Sequence, residues 1–170
     1  VLLFAVLLLF LTYPAYSAVQ GKVDYAQSID YSQLTEDDLE QKAKAYYFLA
    51  MQSDSDKITD EMTKALNIYR ALQKIDPKNE SYCVKLGSLY DRINQDKYAK
   101  ENLSRAVSIN SSNPEPYFYF GEYYYKRCEF RKALKYYKKA YERGYMVHYD
   151  TLCRMGDIYA KFGDTRCALV

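Results

Sequence analysis

The chain has 170 residues, enough for one domain or a short array of repeats. Its 49% hydrophobic and 27% charged content excludes global disorder, and a net charge of +2 gives no electrostatic argument for nucleic acid. Six Gly and four Pro are too few for an all-β fold of tight turns, and a single His, His148, leaves no His pair for a metal site or a proton relay.

The first element is an unbroken apolar run from Val1 to Leu11. Thr12-Tyr13-Pro14 ends it, and the small residues Ala15, Ser17 and Ala18 follow. That layout matches the hydrophobic core and cleavage site of a secretory signal peptide, with the cut expected after Ser17 or Ala18. The second reading is an uncleaved membrane anchor through residues 1–13. A spanning helix needs about 20 apolar residues, so this reading requires more chain before Val1. Residues 1–18 are thus a signal peptide, which implies an exported protein (periplasmic or secreted), or a membrane anchor. Residues 19–35 show no sustained period and read as a polar linker. Thr35 with Asp38 three residues on resembles a capping box, so a helix is predicted from residue 36.

Beyond that point the pattern repeats, and the repeat decides the fold. Gly87, Gly121 and Gly156 are spaced 34 and 35 apart, and each is followed twelve residues later by Ala99, Ala133 or Ala168. A large apolar residue precedes each Gly (Leu86, Phe120, Met155) and a Tyr follows three residues after it (Tyr90, Tyr124, Tyr159). Those offsets place the side chains on one helical face, while Ala99 and Ala133 with Leu103, Tyr137, Ala106 and Ala140 form the same stripe on a second helix. Small residues at matched positions predict two antiparallel helices crossing closely, with Gly87 against Ala99 and Gly121 against Ala133. A hairpin cannot bury its apolar face alone, so neighbouring hairpins must stack. Asn113-Pro114-Glu115 reads as a helix start and Gly144 as a helix stop.

This spacing resembles the tetratricopeptide repeat family. The copies fall at about 43–78, 80–113, 114–148 and 149–170, the last cut short near Ala168-Leu169-Val170, as expected of a fragment. The first copy is weaker: Ala50 and Ala65 are 15 apart rather than 12, which puts three extra residues around Ser53–Asp56. The resemblance covers residues 36–170. It implies an all-α fold, a right-handed superhelical solenoid of antiparallel helix hairpins. It also implies a non-catalytic protein that binds a protein or peptide partner along a concave groove, without cofactor, nucleic acid or small-molecule substrate.

First helices of each hairpin line the groove in that family. In this chain the groove side is expected to show Tyr47, Met51, Lys85, Ser88, Phe118, Glu122, Tyr125, Arg154 and Asp157. The cationic clamp that some members use for a partner's C-terminal carboxylate is missing, because Glu122 and Asp157 stand where it would need cationic or amide groups. An aromatic, mixed-charge groove suits an extended or helical segment with apolar anchors. Phe118 and Tyr125 are expected to be partly exposed, and Tyr117, Phe120 and Tyr124 buried. Packing between repeats is the competing account of the same aromatics.

Other features weigh against chemistry. No Gly-x-Ser-x-Gly, Gly-rich phosphate loop or Cys-x-x-Cys occurs. Cys83 falls on a core position, and only Cys128 with Cys167 lies where a disulfide is conceivable. Asn79, Asn102 and Asn110 head Asn-x-Ser triplets, for which chance is the simplest account. From Lys126 to Arg143 there are eight basic residues against two acidic ones. Arg131, Lys132, Lys135, Lys138 and Lys139 are predicted to point outward, forming a solvated face or one drawn to an anionic surface. Two further readings stand: a structural spacer or assembly subunit of an envelope complex, and the repeat region of a longer enzyme continuing past Val170.

Overall fold

The computed structural model describes residues 34–52, 58–144 and 149–163. The signal or anchor segment, the Ser53–Asp56 insertion, His148, Cys167 and Ala168 lie outside them. Among the described residues all regular structure is helical, in seven helices joined by turns. The chain divides into two compact units between Pro77 and Lys78.

The first unit holds one hairpin, α1 (Glu36–Gln52) and α2 (Asp60–Ile75). Its start is the expected capping box: the Thr35 N–H donates to the Asp38 carboxylate and the Asp38 N–H donates to the Thr35 hydroxyl, each at 3.2 Å. The Thr59 hydroxyl accepts from the Met62 N–H at 3.2 Å and caps α2. Leu39, Ala43 and Ala50 of α1 are buried, and α2 supplies Met62, Ala65, Leu66, Ile68, Tyr69 and Leu72. Leu49, matched in sequence to Leu86 and Phe120, is exposed instead. The weaker copy keeps its small crossing residues and lacks the large one beside them.

The second unit runs α3 (Glu80–Arg92), α4 (Asp96–Ile109), α5 (Glu115–Lys126), α6 (Phe130–Glu142) and α7 (Tyr149–Lys161). α3 pairs with α4 and α5 with α6 as hairpins; α5 also packs on α3 and α4, and α7 packs on α6. Ala99, Ala106, Ala133 and Ala140 are fully buried, and Cys83 lies in the core with Val84 and Ala106, as its position predicts. The side chain of Asn113 accepts from the Glu115 N–H at 2.9 Å and starts α5.

The glycine crossings are close, but their partners differ from the expected alanines. A methyl group on Gly87 would lie 2.7 Å from Leu103 Cγ, and one on Gly121 would lie 2.4 Å from the Tyr137 ring. The glycine makes room for the large residue one helical turn past the alanine. The alanine lets the backbones approach, and the next turn's side chain then fills the space above the glycine.

The hairpin turns repeat as well. Three residues join α3 to α4 and another three join α5 to α6. Asn94 and Cys128 each adopt φ of 58°, and Gly163, 35 residues after Cys128, adopts 75°. Beyond each non-glycine turn a backbone N–H returns to the helix, Gln95 to Tyr90 at 2.8 Å and Glu129 to Tyr124 at 2.9 Å. A left-handed residue with a six-residue return bond is the usual helix stop.

Candidate functional site: the groove between α5 and α7

On α5, residues 118, 122 and 125 recur at helical spacing, and on α7 residues 150, 153, 154 and 157 do the same. The two faces meet around an open groove of about 360 Å³. Phe118 and Glu122 line it from α5; Tyr149, Asp150, Cys153, Arg154 and Asp157 line it from α7. Four of the nine residues predicted from sequence are therefore brought together here.

Glu122 is the centre of the site. The fully buried Tyr137 donates its hydroxyl to Glu122 Oε1 at 2.5 Å. Arg154 Nε donates to the same oxygen at 3.1 Å, and its guanidinium carbon sits 4.7 Å from the centre of the Tyr125 ring. Burial raises the Tyr137 hydroxyl far above its ordinary pKa, and the Glu122 charge pushes the same way. Burial works against the Arg154 charge, yet Glu122 together with the Tyr137 and Tyr125 hydroxyls more than offsets it, so the guanidinium is held even more firmly protonated. Glu122 thus stands on a proton-donating floor with a fixed cation beside it.

The aromatics behave as half core and half surface. Phe118 and Tyr125 are partly exposed, as expected, while Tyr117 and Phe120 are buried. Phe118 also packs on the cluster of Ala133, Tyr137 and Ile158, and Tyr125 meets Phe130 edge-on at 5.5 Å. Tyr124 departs from expectation: it is half-buried, stacked on Tyr136 at 5.4 Å. Its neighbour Tyr123, turned towards Asp96 of the preceding hairpin, is the fully buried ring, only 1% exposed.

The remaining predicted residues lie elsewhere. Ser88 is buried, and its hydroxyl donates to the Lys85 carbonyl one turn earlier, so it offers a partner nothing. The reason is local: a short hydroxyl on a crowded helix face finds its own backbone. Lys85 forms an ion pair with Glu115 at 2.5 Å, bridging α3 to α5. Tyr47 and Met51 are half-buried in the first unit, where Tyr47 meets Tyr69 edge-on at 6.1 Å. On α6, Arg131, Lys132, Lys135 and Lys138 point outward as predicted. Lys139 is half-buried, with its ammonium 5.6 Å from the centre of the Tyr136 ring.

Sequence reasoning missed Arg127. It donates to Asp91 Oδ1 at 2.7 Å, pairs with Asp96, and lies with its guanidinium carbon 3.5 Å from the centre of the Tyr123 ring. The Tyr123 hydroxyl donates to Asp96 at 3.1 Å and closes the set. This knot ties one hairpin to the next. The sequence signal was present, since Tyr123 and Arg127 are four apart on one helix face.

These features define a class: an all-helical protein of stacked hairpin repeats, with a groove beside two first helices. No family model and no curated protein matches the chain. Among solved structures it is similar to MamA, a tetratricopeptide-like helical repeat protein. One MamA crystal structure is 25% identical over 64% of this chain and 63% of its own length, with a TM-score of 0.54. A second is 22% identical over 76% and 69%, with a TM-score of 0.53; a third is 15% identical over 88% and 83%, with 0.55. The chain therefore spans just under two thirds of the first of these relatives.

Proposed function

We propose that this protein is a non-catalytic interaction scaffold that captures a segment of a protein partner in the groove between α5 and α7, outside the cytoplasm. The observation that carries the reading is the groove itself, with half-exposed Phe118 beside a Glu122 already held by Tyr137 and Arg154. Preorganised polar groups around an aromatic anchor point are what a peptide site needs, because little must be ordered when the segment arrives. Similarity to the helical repeat protein MamA supports the scaffold reading. The apolar run from Val1 to Leu11 supports export or membrane attachment.

The test pairs binding with stability. Phe118→Ala combined with Tyr125→Ala is expected to abolish capture of partner protein from envelope extract. Because both rings also touch the core, this variant is expected to melt somewhat lower, while Tyr117→Ala melts lower still and keeps capture below its midpoint. Equal loss of capture in the two variants would reduce the aromatics to packing. Mass spectrometry of the mature N-terminus tests export, which an intact start at Val1 in a soluble cytoplasmic fraction would overturn.

A further inference from the structure

We infer that the α5/α7 groove selects a cationic segment, one with two Lys or Arg flanking an apolar side chain; this rests on the groove being the binding site. The groove lining carries three carboxylates, Glu122, Asp150 and Asp157, against one cation, Arg154. Arg154 is spoken for: it is paired with Glu122 and stacked on Tyr125. Asp150 and Asp157 are exposed and have no ion-pair partner among the described residues. Each has a basic residue four positions on, yet neither pairs with it. Arg154 turns to Glu122, and the Lys161 ammonium lies 5.4 Å from the centre of the Phe130 ring.

Spacing makes the inference specific. Asp150 and Asp157 are seven residues apart on one helix, which is about 10 Å along its axis. A segment in the extended polyproline II conformation covers about 9 Å in three residues, which is one full turn, so residues i and i+3 share a face. A segment in this conformation with cations at i and i+3 therefore meets both carboxylates, and an apolar residue between them, turned to the adjacent face, reaches Phe118. Each exposed pair is worth little alone, but two together with a desolvated anchor amount to about tenfold in affinity.

The experiment uses three fluorescein-labelled peptides with the same central Leu, flanked three residues apart by Lys, Gln or Glu. Fluorescence anisotropy reads their binding to the 170-residue chain, to Phe118→Ala, and to Asp150→Asn combined with Asp157→Asn. The expected result is a preference of about tenfold for the Lys over the Glu peptide in the unmodified chain, falling below about twofold in the double Asn variant. High salt should shrink the preference in the same way. A preference that survives in the double variant would mean that another acidic surface selects the peptide, and the inference fails. Gln-peptide binding that depends on Phe118 without any charge preference sinks this inference and leaves the groove. No binding by any peptide sinks both.

Discussion

The hairpins α3–α4 and α5–α6 are built to one plan and differ at one residue that changes what the second can do. In both, a glycine faces the side chain four residues beyond a buried alanine. In α3–α4 that side chain is Leu103, and the crossing is closed and apolar. In α5–α6 it is Tyr137, whose ring fills the same space while its hydroxyl emerges at Glu122. One steric solution therefore yields a sealed core in one repeat and the polar floor of a groove in the next. A polar groove floor is added to a repeat array here by placing a hydroxyl on a core residue, without altering the packing around it.

If both residues are core first, truncating either should be severe. Leu103→Ala and Tyr137→Ala are each expected to cost about 2–5 kcal/mol, with Tyr137 at the upper end because a ring leaves the larger cavity. Urea titration checks this, and a loss well below about 2 kcal/mol at Tyr137 would make it a site residue rather than a core residue. The glycines give a finer contrast. Gly121→Ala drives a methyl into an aromatic ring at 2.4 Å, and the ring is pinned by its hydrogen bond to Glu122. Gly87→Ala meets the Leu103 side chain, Cγ at 2.7 Å and Cδ2 at 2.8 Å, which no hydrogen bond pins, although the Leu103 backbone N is also near at 3.3 Å. Overpacking of about 1–3 kcal/mol is expected at Gly121 and less at Gly87, each offset by the same gain of about 1 kcal/mol in helix propensity. The reverse order of denaturation midpoints would show that Tyr137 moves more easily than Leu103.

The turns offer a smaller version of the same contrast. Asn94 and Cys128 hold the same left-handed conformation, which Asn tolerates better than Cys. Cys128→Gly is expected to stabilise by up to about 1 kcal/mol, and Asn94→Gly by less. Equal gains at the two positions would mean that the side chains do not decide the turn.

The architecture was legible because helix crossings tolerate only small residues, and so Gly and Ala recur at fixed spacing. The partner of each glycine was not legible, since it depends on how far one helix slides past the other. Phe118, Glu122, Arg154 and Asp157, chosen for their place on first-helix faces, line one groove. Ser88 satisfies the same rule and is buried, its hydroxyl bonded to its own helix. Tyr123 went unnoticed beside Tyr124: in a run of three tyrosines, small differences in helix rotation decide which one turns inward. The Lys85–Glu115 pair and the Arg127 knot join different hairpins, and repeat periodicity carries no information about them.

The Arg127 knot gives the smallest effect and the clearest sign. Its bond from Arg127, together with that from the Tyr123 hydroxyl, lowers the Asp96 pKa below the ordinary Asp value, against a modest opposing effect of burial. A carboxylate whose folded pKa is depressed binds fewer protons folded than unfolded. It therefore contributes stability that is fully present above the unfolded value of about 3.9 and is lost as pH falls through the lower folded value. Arg127 stays charged throughout, so the loss belongs to Asp96. Asp38 is also depressed, by its bonds with Thr35, but that contribution is common to the unmodified chain and an Asp96 variant and cancels between them. Asp96→Asn should therefore be less stable than the unmodified chain at about pH 6, and the gap should narrow towards about pH 3. The Asp96 side chain is about half exposed, so salt should shrink the gap at the higher pH as well. A gap that stays constant from pH 6 to acid would show that Asp96 joins the two hairpins through hydrogen-bond geometry alone, with its charge contributing nothing.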